Sequence, residues 1–251
     1  MPHPLLSILI HGVRDLLFPR TCLCCTCLLA PEGTWLACDT CVASLDRLPA
    51  SGCGRCGHPV PSGRDCATCG VLHPAIRRAH SYCWADGAAA RTLLHAFKYD
   101  GWTAVAEGMA ECLCDLVLHD APTRSTCLLS VPLAPGRQRE RGYNQSELLA
   151  RHLARLWRCA VLPDALRRVR ETPTQTLLTR SDRFANVANA FEVTAGRVPR
   201  LRGASCVLVD DVMTTGATLN ACASALDAAG VEHITAITFG RARDPRAATP
   251  A

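Results

Sequence analysis

The sequence predicts an α/β fold, a Rossmann-like parallel sheet, preceded by a small cysteine-rich arm. Three observations predict it. Short apolar runs alternate with helical patterns from about residue 88 onward. One of these runs ends in an acidic pair followed by a Gly-Thr turn that opens a helix. The first 69 of the 251 residues hold ten of the seventeen cysteines, largely in Cys-x-x-Cys pairs.

The elements follow in order. Residues 88–119 carry leucines, alanines and Phe97 at helical spacing, interrupted at Asp100-Gly101, which predicts two helices. Residues 127–132 form a short apolar run ended by proline, a buried strand. Residues 144–157 predict a helix with Leu148, Leu149, His152, Leu153 and Leu156 along its apolar side. A second buried strand spans 204–210, a helix 217–229 is stopped by Gly230, and a third strand spans 231–239. Strand, helix and strand in alternation imply parallel pairing through right-handed crossovers. This divides the chain into an N-terminal helix over 1–20, a cysteine arm over 21–75, an α/β domain over 76–242 and a disordered tail over 243–251.

Composition excludes some classes. No apolar run reaches the ~18–20 residues a membrane-spanning helix needs. The N-terminal stretch MPHPLLSILIHGVRDLLFPR lacks the basic n-region of a signal peptide, and its apolar part is short, so a docking helix and a cytoplasmic protein are expected. The formal net charge is +5. Eight zinc-bound thiolates and two Zn²⁺ would bring it to about +1, so global charge does not argue for nucleic acid. The distribution says more: residues 137–183 hold eleven arginines against five acids, a place for a polyanion.

In the arm, Cys22-x-x-Cys25 and Cys38-x-x-Cys41 are twelve residues apart, and Cys53-x-x-Cys56 and Cys66-x-x-Cys69 nine. Two such knuckles supply four soft thiolates to one tetrahedral structural Zn²⁺, so the arm reads as a double zinc ribbon with two zinc ions. A segment with so little core would draw most of its folding free energy from the metal. Cys24 and Cys27 offer an overlapping pair that could replace Cys22 and Cys25, and the pairs could also be shared crosswise. The arm is not strongly basic; a structural or protein-docking role is at least as well supported as DNA contact. The scattered cysteines (Cys83, Cys112, Cys114, Cys127, Cys159, Cys206, Cys222) sit among apolar residues and read as small core side chains.

The strand over 204–210 delivers Asp210 and Asp211 to the carboxyl end of the sheet, where open α/β sheets bind ligands. Thr214, Thr215, Gly216, Ala217 and Thr218 then open a helix whose backbone N–H groups and hydroxyls suit a phosphate. Carboxylates beside a phosphate site are explained if they accept from ribose hydroxyls while the loop takes the 5′-phosphate.

VLVDDVMTTGAT resembles the phosphoribosyl pyrophosphate (PRPP) motif of type I phosphoribosyltransferases. Together with the cysteine arm, the chain resembles the competence protein F (ComF) family, a double zinc ribbon joined to a phosphoribosyltransferase domain. LHAFKY through Lys98 and Tyr99, SVPL followed by Arg137, Arg139, Arg141 and GYNQ, and the stretch from Arg170 to Phe191 fit the same family. The resemblance implies a pyrophosphate loop over 133–141 using Arg137, Arg139 and Arg141, a mobile hood over 170–183, and Mg²⁺ bound with PRPP. It implies pentosyl transfer from PRPP as the activity and a link to DNA uptake or use. The alternative is a non-catalytic nucleotide sensor, or a module that engages single-stranded DNA or a DNA-processing protein.

Overall fold

The computed structural model describes residues 19–30, 33, 35–49, 52–60, 66, 69–116, 126–170 and 180–243. The expected helix over 1–20 and tail over 243–251 lie almost wholly outside these residues. In chain order the helices are α1 (Asp39–Ala43), α2 (Ala88–Tyr99), α3 (Val105–Leu116), α4 (Pro135–Arg141), α5 (Gln145–Trp157), α6 (Arg180–Val187), α7 (Val198–Leu201) and α8 (Ala217–Ala228). The strands are β1 (Ile76–Trp84), β2 (Cys127–Ser130), β3 (Ala160–Val161), β4 (Leu166–Arg168), β5 (Phe191–Val193), β6 (Ser205–Met213) and β7 (His233–Arg241).

Five strands make an all-parallel sheet in the order β1-β7-β6-β2-β3, and β4 pairs with β5 in a separate antiparallel ribbon. The period of two along a strand divides the interior in two. Val207, Val209, Ile237 and Phe239 join a core with α2, α3 and α5; Cys206, Leu208, Ile234 and Ala236 join another with α8. A sheet covered on both faces reads as continuous apolar runs, which is why its middle strands are visible in the sequence.

The two helices expected over 88–119 are α2 and α3, parted at Gly101, whose φ of +74° a residue with a Cβ disfavours. For α5 the expected apolar side shifts. The buried residues are Gln145, Ser146, Leu149, Ala150, Leu153 and Ala154, whereas Leu156 is exposed, because the first turn of α5 is buried over the sheet end.

The arm is built against this domain. Leu36, Ala37 and Leu45 enter the first core; Cys56, Leu72 and Ala75 enter the second. The outer edge of β1 is covered by the arm: the backbone N–H of Leu48 donates to Tyr82, that of Trp84 to Asp46 and that of Ala79 to Arg55, at 3.0, 2.8 and 2.7 Å. An edge strand left bare would invite pairing with another chain. Among the described residues, no helix is long and apolar enough to cross a membrane.

Candidate functional site

Asp210 and Asp211 lie in the last half of β6, three and two residues before its end at Met213. Adjacent strand residues face opposite ways, and their partners differ accordingly. The Asp211 carboxylate pairs with Lys98 Nζ at 3.1 Å, both groups largely buried. Asp210 Oδ1 accepts from Ser146 Oγ at 2.9 Å and from the Asp211 backbone N–H at 2.9 Å. Burial first, and the neighbouring Asp211 carboxylate second, push the Asp210 carboxyl up to about 7; Ser146, the Asp211 N–H and Lys98 oppose the rise.

Lys98 is held in place by its neighbours. The carbonyl of Phe97 accepts from Tyr143 Oη at 2.5 Å and from Gln145 Nε2 at 3.2 Å, tying the end of α2 to the start of α5. Asn144 caps α5 by accepting from the Ser146 N–H at 3.0 Å, while its Nδ2 donates to the Val131 carbonyl at 3.0 Å. The GYNQ tetrapeptide and the following serine therefore orient Lys98 and Ser146 toward the acidic pair.

After β6 the chain turns at Gly216, with φ of +80°, into α8. Thr215 Oγ1 accepts from the Ala217 N–H at 3.4 Å. Thr214 is exposed, Thr215 and Thr218 half-buried, Gly216 and Ala217 buried. A Cβ on Gly216 would stand 3.1 Å from Leu72 Cδ2 of the arm. The first turn of this twelve-residue helix, whose N–H groups have no partner within the helix, sits beside the acidic strand end, as an anion site beside hydroxyl acceptors requires.

The stretch expected to be a pyrophosphate loop is in the described structure largely helix α4, which starts with Pro135 at its first turn and ends at Gly142 in the left-handed region. Proline is preorganised for that first turn, so PGRQRER forms a helix in a stretch that was expected to form a loop. Arg139 is exposed. Arg141 donates to Gln145 Oε1 at 3.1 Å and stacks over the Tyr99 ring at 5.1 Å. Arg137 lies near Arg168, a residue not singled out in the sequence, whose side chain stacks on Phe191 at 5.4 Å. Burial, then Arg137, lower the pKa of Arg168, which also feels Asp210. Of the expected hood over 170–183, residues 171–179 lie outside the described residues and 180–183 begin helix α6. Arg170 donates to the carbonyls of Asn186 and Ala188, at 2.9 and 2.8 Å, which makes it a structural tie.

In the arm, the Sγ atoms of Cys53, Cys56, Cys66 and Cys69 all lie within 4.8 Å of one another. The first ribbon gathers Cys22, Cys25, Cys27 and Cys38 in the same way, and Cys22, Cys24 and Cys41 in a second set. Cys25 and Cys38 sulfurs are 3.6 Å apart, Cys56 and Cys66 sulfurs 3.5 Å. Thiolates converging in fours are the donor set of structural Zn²⁺. Away from the arm, burial pushes the thiols of Cys83 and Cys206 up to about 12 and that of Cys222 well above its ordinary value, so these are inert core groups.

Residues 144–248 match the family model of the phosphoribosyl transferase domain, and residues 13–70 that of the double zinc ribbon domain. The chain is 34% identical over 207 residues to "DNA utilization protein YhgH" of Escherichia coli O157:H7, covering 80% of this chain and 88% of that one. It is 42% identical over 117 residues to "Competence protein F" of Haemophilus influenzae, covering 46% and 50%. It is 26% identical over 221 residues to "Competence protein ComFC" of Bacillus subtilis, covering 82% and 88%.

Proposed function

This chain belongs to the competence protein F (ComF) family, in which a double zinc ribbon is joined to a phosphoribosyltransferase domain, and from that premise we propose that it binds PRPP, or the ribose 5-phosphate part of a nucleotide, at the end of β6. The observation that carries the reading is the buried Asp210–Asp211 pair followed within five residues by the Gly216 turn and the start of α8. The N–H groups of Gly216, Ala217 and Thr218, with the Thr214, Thr215 and Thr218 hydroxyls, would hold the 5-phosphate. Asp210 and Asp211 would accept from the ribose hydroxyls.

Arg137, with Arg168 behind it, and Arg141 supply guanidinium forks suited to pyrophosphate oxygens. Arg139, which is exposed, would join them only through movement of α4. Mg²⁺ fits as an ion carried in on the phosphates, because Asp210 and Asp211 are hard oxygen donors already engaged by Ser146 and Lys98. Bound there, it would neutralise charge on the departing pyrophosphate. The reaction is displacement at the anomeric carbon, in which a base nitrogen forms the new bond as the bond to pyrophosphate breaks. It needs positioning and charge stabilisation from the protein rather than a nucleophilic side chain. The relatives' names, a DNA utilization protein and a competence protein, support a place in DNA uptake or use; a cytoplasmic location, and single-stranded DNA or a DNA-processing protein as the further partner, belong to the same proposal.

Titration calorimetry of the zinc-loaded chain with Mg²⁺–PRPP tests binding, and a screen of purine and pyrimidine bases for pyrophosphate release tests transfer. Binding that is lost in Asp210→Asn/Asp211→Asn supports the ribose-gripping role; no binding, or binding indifferent to both changes, refutes it. Binding without release for any base would leave a non-catalytic nucleotide sensor.

A further inference from the structure

The two ribbons differ in their number of thiols. The second gathers four cysteines, enough for one tetrahedral ion. The first gathers six: Cys22, Cys25, Cys27 and Cys38 in one set, and Cys22, Cys24 and Cys41 in another, with Cys22 in both. One tetrahedral zinc uses four of the six and leaves two thiols unexplained.

We propose that the first ribbon is a binuclear thiolate site, in which the Cys22 sulfur bridges a four-thiolate Zn²⁺ seat (Cys22, Cys25, Cys27, Cys38) and a three-thiolate Zn²⁺ seat (Cys22, Cys24, Cys41).

The local backbone supports a bridging role for Cys22. It is buried at 1% exposure, while Cys25 and Cys27 are exposed, so the shared sulfur lies innermost and the terminal ligands outside. The Cys38 N–H points at the Cys22 sulfur at 3.4 Å, the backbone donor that a thiolate shared between two cations can still accept from. The turn that sets Cys24 and Cys25 on the two sides is fixed by the Thr26 N–H donating to the Cys22 carbonyl at 2.8 Å, and by Thr26 itself at φ of +61°. The Cys22 N–H closes the knuckle on the Cys27 carbonyl at 2.8 Å. Because Cys24 and Cys25 are consecutive, they leave the chain in different directions, one toward each seat. Cys24 faces the domain, where its sulfur is 3.8 Å from the Ala89 carbonyl; that distance is at the outer limit of a sulfur contact, so little is lost when the thiol is deprotonated.

Charge is consistent with this arrangement. Six thiols release six protons to solvent as their thiolates bind two Zn²⁺, leaving a site of formal charge about −2, the same as one Zn²⁺ held by four thiolates. The second seat has three protein ligands, and an open fourth position is filled by water or an anion. That is the pattern of an exchangeable zinc rather than a closed one.

Metal analysis of the full chain, purified with a reductant and without chelator, should return about three zinc ions, and Cys24→Ser should return about two. Substitution with ¹¹³Cd gives a second readout that needs no variant: two of three cadmium resonances should be coupled to each other through the shared sulfur, and the third should be single. About two zinc in both wild type and Cys24→Ser would overturn the proposal. So would three zinc that Cys24→Ser leaves unchanged, or three cadmium resonances without coupling. Should Cys24→Ser fail to fold, the cadmium spectrum of the wild type decides.

Discussion

Replacing Asp210 by asparagine should make the unliganded protein more stable at alkaline pH while weakening its hold on PRPP. Asparagine keeps an Oδ1 that accepts from Ser146 Oγ and from the Asp211 N–H, so the two hydrogen bonds at 2.9 Å survive the change. What is lost is a charge that burial and Asp211 disfavour. A carboxyl raised to about 7 binds its proton more tightly in the folded than in the unfolded chain. Stability therefore falls as pH rises from the ordinary carboxyl value near 4 through about 7, and the loss is complete above that. The full penalty is at most about 4 kcal/mol, of which roughly half is present by pH 5.5. The advantage of Asp210→Asn over the wild type should thus grow by about 2 kcal/mol between pH 5.5 and 8.5. Urea unfolding of the zinc-loaded chain at the two pH values, followed by tryptophan fluorescence, measures it. A difference that is flat with pH, or that shrinks toward pH 8.5, would show that Asp210 is not held against its ionisation. The same variant should bind Mg²⁺–PRPP at least about tenfold more weakly, the equivalent of one lost charge-assisted hydrogen bond.

Two further changes probe the surroundings. Lys98→Met removes the partner of the Asp211 carboxylate and a cation that also opposes the rise of Asp210; it should cost about 1–2 kcal/mol at pH 8, and less at pH 5.5 where Asp210 holds its proton; equal cost at both values in urea unfolding would count against Lys98 acting on Asp210. Gly216→Ala forces a Cβ into the left-handed region and toward Leu72 Cδ2 at 3.1 Å, at a cost of about 1 kcal/mol, and it should also lower affinity for inorganic phosphate; an unchanged melting temperature would refute the strain.

The parts legible in the sequence are those whose environment is uniform. β6 and β7 are covered on both faces, so VLV and ITAITF read as apolar runs, and the acidic pair is conspicuous because it ends one of them. β1 was not legible. Its sequence IRRAHSYCW exposes Arg77 and Arg78 and carries a register shift between Ile76 and Arg78, so no period of two survives at its start. The strands β4 and β5 have three residues each, too few for any period to register. In the site, Asp210, Asp211 and Gly216 stand together in the sequence, but Ser146 and Lys98 reach them across 64 and 113 positions. Lys98 stands in the LHAFKY stretch and Ser146 directly follows GYNQ, both marked by the family resemblance, but neither stretch by itself shows that its side chain reaches the acidic pair. Asn144, whose side chain caps α5 and so fixes Ser146, is the nearest sequence signal.

The arm and the phosphate turn are mechanically one construction. Asn220, in the first turn of α8, accepts from the His73 N–H at 2.9 Å, and its Nδ2 donates to the Val71 carbonyl, so the helix that begins at Gly216 is fastened to the end of the second ribbon. Leu72 lies between those two residues and against Gly216. The same ribbon is braced by Arg55, whose guanidinium donates to the carbonyls of Ile76, Cys69, Leu72 and His73 at 3.0–3.3 Å. Arg241, at the end of β7, donates to the Cys56 carbonyl from the domain side. Cys69, one of the four thiols gathered in the second ribbon, is therefore two to four residues from the backbone that is tied to the Gly216 turn. Loss of a metal held by those thiols would release Leu72 and His73, and with them the start of α8, while leaving β6 and its acidic pair embedded in the sheet. On the proposed reading, zinc in the second ribbon would act on the phosphate half of the site, whereas the ribose half would depend on α2 and α5. This division gives a physical reason for an arm that has little core of its own to be retained next to this domain.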